Sequence, residues 1–242
     1  RELTGHTDAA RRLLRTAISR VDRRDDLPKE QVAWFHYRLG ELELRSGQLD
    51  SAEAAYRRGL TIFPDDYRVL GGLARLESAR RHWQRAIEYG NRAVAIQLDP
   101  ATLGTISDAF LALGDSAQAA EYARAMTASA LEQPGPIHRA WGLFILDHGT
   151  RQDAARVLAK ARVELRTRHD VYGYDLLAWA LHREGRHAEA RAAMRKALAQ
   201  HTEDPQLLRH AQAIDAASAG APHLTVANNG GTACPSSRLT CN

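Results

Sequence analysis

Residues 33–66 read AWFHYRLGELELRSGQLDSAEAAYRRGLTIFPDD. Leu39, Leu42 and Leu44 mark a first helix that stops at Gly47, since glycine readily takes the left-handed conformation that closes a helix. Asp50 or Ser51 then caps a second helix, with Ala52, Ala55, Tyr56, Leu60 and Phe63 on one face. Small residues such as Ala52 and Gly59 let the two helices approach closely. Pro64 ends the pair, because proline cannot continue a helix interior. The stretch predicts a helical hairpin.

The same punctuation recurs along the chain. Gly47, Gly114, Gly149 and Gly185 each stand five residues before an alanine: Ala52, Ala119, Ala154 and Ala190. Gly5 with Ala10 and Arg81 with Ala86 fit the same frame. The implied unit starts are 33, 67, 100, 135 and 171, a period close to 34 residues that persists along the chain. A fixed period of this size is the signature of a solenoid built from one supersecondary unit. Pro100, Pro134, Pro136 and Pro205 fall at unit junctions and none inside an expected helix.

These residues resemble the tetratricopeptide repeat. The 33–66 unit carries Leu39, Gly40, Ala52, Tyr56 and Pro64 of its pattern, while His36, Glu43 and Gly59 depart from it. The 135–170 unit has Trp141, Gly142, Ala154 and Ala161, and the 171–204 unit has Tyr174, Leu177, Ala190 and Ala197. The 67–99 and 100–134 units keep mainly the second-helix alanines. The resemblance covers residues 1–219 and implies an all-α right-handed superhelical solenoid. RELTGHTDAA at the start, LDHG at 146–149 and DLLAWALHREGR at 175–186 are similar to a group of bacterial tetratricopeptide proteins of generally unassigned activity. Leu176 stands where that group often has alanine. Many of its members are exported or envelope-associated, which implies an extracytoplasmic or envelope location.

Outward from the repeats, residues 1–24 read as the second helix of a unit whose first helix would lie before Arg1, so a fragment of a longer protein is expected. Residues 25–32, DDLPKEQV, are an acidic insertion or an early start to the next helix, with Pro28 suited to a first turn. Residues 205–219 read as one closing cap helix with Leu207, Leu208, Ala211 and Ile214 inward. The tail, 220–242, lacks acids and carries Asn-Asn-Gly-Gly. It is expected to be flexible, or a short hairpin closed by a disulfide between Cys234 and Cys241, the chain's two cysteines.

Composition excludes several classes. Forty-three alanines against four phenylalanines argue for helices over sheets. No run of 18 apolar residues is present, so no membrane span is expected in this chain. The formal charge of +4 belongs mostly to residues 1–24; between 25 and 219 there are 25 basic and 26 acidic residues. A nucleic-acid binder needs a basic stripe, and none is visible.

The chemistry-bearing residues read as structural. His36 and His138 stand at helix-packing positions and His82 and His187 in turns. His182 and His187 straddle Gly185 rather than sharing a helix face, so no metal site is expected. No Gly-x-Ser-x-Gly elbow, phosphate loop or Gly-x-Gly-x-x-Gly run points to catalysis or a cofactor. Gly71-Gly72 inside a first helix reads as close packing, with a shallow spot in a groove as the alternative.

In tetratricopeptide solenoids the first helices line a concave groove, and the matching positions supply candidate peptide contacts: Trp34, Tyr37, Arg45, Arg68, Arg75, Arg139, Tyr172, Asp175, Trp179 and Arg183. Aromatics beside arginines are the residue types enriched at binding hot spots. Tyr37 and Glu41 stand where a chaperone-clamping groove would carry lysine and asparagine, which argues against that partner. Arg68, Arg75 and Arg139 are suited to an acidic peptide. The expectation is a non-catalytic scaffold binding a protein or peptide. The alternative is a regulatory or accessory module of a larger enzyme or transcription factor whose active domain precedes residue 1. A third reading is an enzyme using Tyr, His and Asp groups near 172–183. Self-association through exposed terminal helix faces is a further expectation.

Overall fold

A computed structural model describes residues 4–132, 138–167 and 169–218. The tail 220–242, Pro134, Pro136, and the pairing of Cys234 with Cys241 lie outside the described residues. Within them the chain forms twelve α-helices and no strand: α1 Thr7–Val21, α2 Lys29–Arg45, α3 Leu49–Ile62, α4 Tyr67–Ala79, α5 Trp83–Ile96, α6 Pro100–Ala112, α7 Ser116–Glu132, α8 Arg139–His148, α9 Arg151–Glu164, α10 Val171–Arg183, α11 His187–Leu198 and α12 Pro205–Ser218. None of these is long and apolar enough to cross a membrane.

From α2 to α11 the helices pair into five antiparallel hairpins, and four of the five turn in the same way. Gly47, Gly114 and Gly185 take φ of 74°, 83° and 76°, and Arg81 takes 62° at the equivalent position. The next residue's N–H reaches back five residues to a carbonyl, Gln48 to Glu43, His82 to Glu77, Asp115 to Phe110 and Arg186 to Leu181, at 2.8–3.0 Å. This is the Schellman arrangement. The turn feeds straight into the following helix, so α3 begins at Leu49 with Gln48 in the cap position and no side-chain cap. The expected cap at Asp50 or Ser51 is therefore corrected: both lie inside α3. Gly149 is the second correction, because its φ is −79° with extended ψ. There Thr150 caps α9 through a capping box with Asp153. A side chain at Gly149 would lie 2.5 Å from the Ile145 carbonyl oxygen, so close approach rather than handedness favours glycine at that turn.

Four of the even-numbered helices, α4, α6, α10 and α12, start on aspartates. Asp66 accepts from Arg68 N and Val69 N, Asp99 from Thr102 N, Asp170 from Gly173 N, and Asp204 from Gln206 N. Residues 25–32 resolve as an early start, with Pro28 at the cap of α2.

Alanine and glycine set the helix spacing. Tyr56 is fully buried, and its ring fills the slot left by two glycines on neighbouring helices, Gly40 and Gly72. A side chain on Gly72 would lie 2.5 Å from that ring, and one on Gly71 would meet Thr102 Oγ1 at 2.6 Å. The Gly71-Gly72 pair is thus a packing device. Two apolar clusters run through the solenoid, one around Ala52, Tyr56, Val69, Leu73 and Leu76, the other reaching from Leu103 on α6 to Ile214 on α12. On α12, Leu207 and Ile214 are buried as expected, but Leu208 is 40% exposed and His210 turns inward instead.

Candidate peptide-binding groove

Each even-numbered helix from α2 to α12 touches the next even-numbered one, while consecutive odd-numbered helices share no comparable contact. Closer spacing on one side curves the stack, which places the even helices on the inner wall.

That wall is cross-tied by polar side chains at nearly the repeat period. Between α2 and α4, Arg75 Nη2 donates to Glu41 Oε1 at 2.6 Å, and the Tyr56 hydroxyl donates to the same oxygen at 2.6 Å. Burial alone would raise the Glu41 carboxyl, but Arg75 and Tyr56 outweigh it and hold the group below the usual carboxylate range. Tyr56 itself is pushed up, by burial first and then by the Glu41 charge. Between α6 and α8, His148 Nε2 lies 2.9 Å from Asp108 Oδ1. That bond raises the imidazole above its ordinary value against a smaller opposing effect of burial.

The densest node joins α8, α10 and α12. Asp175 is fully buried; it accepts from Arg139 Nη2 at 2.6 Å and meets His210 Nδ1 at 2.7 Å. Arg139 also reaches Gln206 Oε1 at 3.1 Å, and its guanidinium carbon sits 4.5 Å over the Tyr172 ring. Trp179 donates to Asp147 Oδ1 at 2.8 Å and stacks between His210 (4.3 Å) and His182 (4.8 Å).

The structure therefore brings Arg139, Tyr172, Asp175 and Trp179 into one cluster and places Tyr37 and Arg75 in a second, around Glu41. Tyr37 is half-buried against Tyr56. Arg68 is held apart, paired with its own helix cap Asp66 at 2.8 Å and with Glu30 at 3.1 Å. Trp34 is 40% exposed, edge-on to Phe35, and Arg183 is exposed at the end of α10. An acidic ligand at Arg68, Arg75 or Arg139 would have to displace a carboxylate already in place. The turn at Gly185 brings the rings of His182 and His187 to 5.4 Å, closer than their separation in sequence suggests. No group of three or more His, Cys, Asp or Glu suited to a metal ion occurs among the described residues.

Sequence reasoning placed Glu41 at a groove position but not its ties to Arg75 and Tyr56, and it missed His210. It also missed the meeting of the two ends of the solenoid. Thr7 Oγ1 donates to Glu203 Oε2 at 2.7 Å, and the Gly5 backbone lies against the His201 carbonyl. A cavity of about 730 Å3 opens there, walled by the start of α1, by Leu42 and Arg45 of α2, and by Tyr172 and residues 202–205. Arg45 and Tyr172, from opposite ends of the chain, thus face one space.

Comparison with known proteins agrees with the helical-hairpin fold. Tetratricopeptide-repeat family models match residues 33–76 and 171–199. The chain thus carries tetratricopeptide repeats in those two stretches. It is similar in structure to a thermophilic tetratricopeptide-repeat protein of Thermus thermophilus, at 25% identity over 75% of this chain and 98% of that one, TM-score 0.55. It is also similar to BtubC from P. vanneervenii, at 16% identity over 98% of this chain and 100% of that one, TM-score 0.57. A third likeness, to a chain in the Cut9–Hcn1 hetero-tetramer of the APC/C, has 17% identity and TM-score 0.56; it covers 90% of this chain but 41% of that one. The two likenesses below 25% identity speak to the fold alone. Comparison with curated protein sequences gives no significant match.

Proposed function

We propose that this chain is a non-catalytic scaffold that holds a peptide or protein segment along the inner wall of its solenoid. The five hairpins α2–α3 to α10–α11 are taken as its repeats, at about 33–66, 67–99, 100–134, 135–170 and 171–204, with α12 closing the stack. The observation that carries this reading is the cross-tied wall: Glu41–Arg75, Asp108–His148, Arg139–Asp175 and Asp147–Trp179 lock neighbouring inner helices to one another. A surface fixed before the ligand arrives loses little side-chain entropy on binding. Because the wall's guanidinium groups are largely satisfied internally and the rings of Tyr172 and Trp179 are already stacked upon, recognition falls to the exposed ring of Trp34 and to Arg183, rather than to a run of acids.

A photo-reactive amino acid placed at Trp34 or Arg183 on the inner helices, or at Arg92 or Val163 on the outer ones, tests this in native lysate. The scaffold reading expects partner adducts from positions 34 and 183. Adducts confined to positions 92 and 163 would move binding to the outer face and overturn it.

A further inference from the structure

We infer that α1 is a charge-held gate over the cavity where the ends of the solenoid meet, undocking as a unit while the hairpins stay folded. The helix differs from the others in how it is held. No α1 side chain is fully buried, and neither apolar cluster contains an α1 residue. Leu13 is more than half exposed. Elements with few buried apolar contacts open at lower free energy than the core they rest on.

Beside the half-buried Leu14, Ala17 and Ile18, what holds α1 is polar, and it acts on two sides. Toward α2, Arg11 Nε donates to both oxygens of Glu43, at 2.9 and 3.0 Å, and Arg15 Nη2 reaches Oε1 at 3.3 Å. The Glu43 side chain is 2% exposed, so its charge depends on these guanidinium groups while α1 is docked and meets water when α1 leaves. Just after α1, Asp22 accepts from His36 Nε2 at 3.0 Å and lies 3.8 Å from Arg58. Toward the far end of the chain, the contact is the exposed Thr7–Glu203 hydrogen bond and the Gly5 backbone against His201.

These two attachments shut the same space, since the cavity is walled by α1 on one side and by Tyr172 and residues 202–205 on the other. Lifting α1 opens the cavity toward the groove without disturbing the Asp175 or Glu41 nodes. Arg15 and Arg58 are more than half exposed, so added salt weakens their part of the latch. The inference concerns this helix alone and holds whatever the groove binds.

Hydrogen–deuterium exchange on the full chain, at about 20 mM and about 500 mM salt, tests it. The gate predicts that amides of α1 exchange at least roughly tenfold faster than those of α4 and α6, and that salt widens the gap. Thr7→Val should speed exchange in α1 and at residues 202–205 together, leaving α4 unchanged. Glu43→Gln should speed α1 further; if that variant does not fold, the exposed Thr7→Val change carries the test alone. Protection of α1 equal to that of α4 and insensitive to both salt and Thr7→Val would overturn the gate and leave α1 as a fixed part of the stack.

Discussion

Arg81 shows how much the solenoid asks of one backbone position. Gly47, Gly114 and Gly185 occupy the equivalent site in other hairpins, with open space around each missing Cβ. The cost there is thus conformational: a left-handed φ crowds an L side chain against its own backbone. Arg81 accepts that strain at φ 62°. Arg81→Gly is expected to stabilise the chain by about 1 kcal/mol, the strain relieved less the added freedom of the unfolded glycine. Urea denaturation followed by far-UV circular dichroism checks this; an unchanged or lower midpoint would mean that the Arg81 side chain supplies a compensating contact. The frame Gly-x-x-x-x-Ala had already placed Arg81 at this turn. It could not separate Gly149, whose identical letters follow a different backbone path because Thr150 and Asp153 form a capping box just after it.

Helices hold their neighbours through the polar ties of the inner wall, and these carry a pH dependence. The Glu41 carboxyl is depressed in the folded chain. Its contribution is therefore fully present above the ordinary carboxylate value and is lost as pH falls through the lower folded value. Glu41→Gln is expected to cost roughly 1–3 kcal/mol near neutral pH, from the charged hydrogen bonds it removes, and to flatten the acid limb of the stability profile. Denaturation midpoints between pH 2.5 and pH 7, read with the wild type, decide it; parallel profiles would sink the assignment. His148 runs in the opposite sense: its raised value makes the Asp108 bond strongest below the ordinary imidazole range and weaker as pH rises through the folded value. Helix existence was legible at this scale from alanine content and period. The aspartates at 66, 99, 170 and 204, which start α4, α6, α10 and α12, were missed, although each stands just before a unit or the closing helix. The ties from Arg75 to Glu41 and from Arg139 and His210 to Asp175 were not legible, because each spans about a full repeat and only the stacking angle selects it.

For the whole molecule, stability passes from hairpin to hairpin, so its ends matter most. Leu207 and Ile214 on α12 are completely buried against the large apolar cluster, and His210 completes the Asp175 node. A chain ending at Asp204 is expected to lose on the order of 3 kcal/mol from its C-terminal hairpins through the aliphatic burial alone. A chain ending at Ser218 is the control. Chemical denaturation should show an early transition in the shorter chain that the control lacks, and coincident curves would deny α12 that role.

The sequence by itself determined the all-helical solenoid and the turn positions. These follow from local rules, the left-handed turn residue and a hydrophobic period, repeated along one chain. Tertiary structure decided which candidate groove residues are available. Arg75, Arg139 and Asp175 are spent on one another's helices, while Trp34 and Arg183 stay open. It also decided that Thr7 and Glu203, 196 residues apart, meet across a cavity. The physical reason is curvature: small angles between successive hairpins accumulate over the whole stack, and no local pattern of residues encodes their sum.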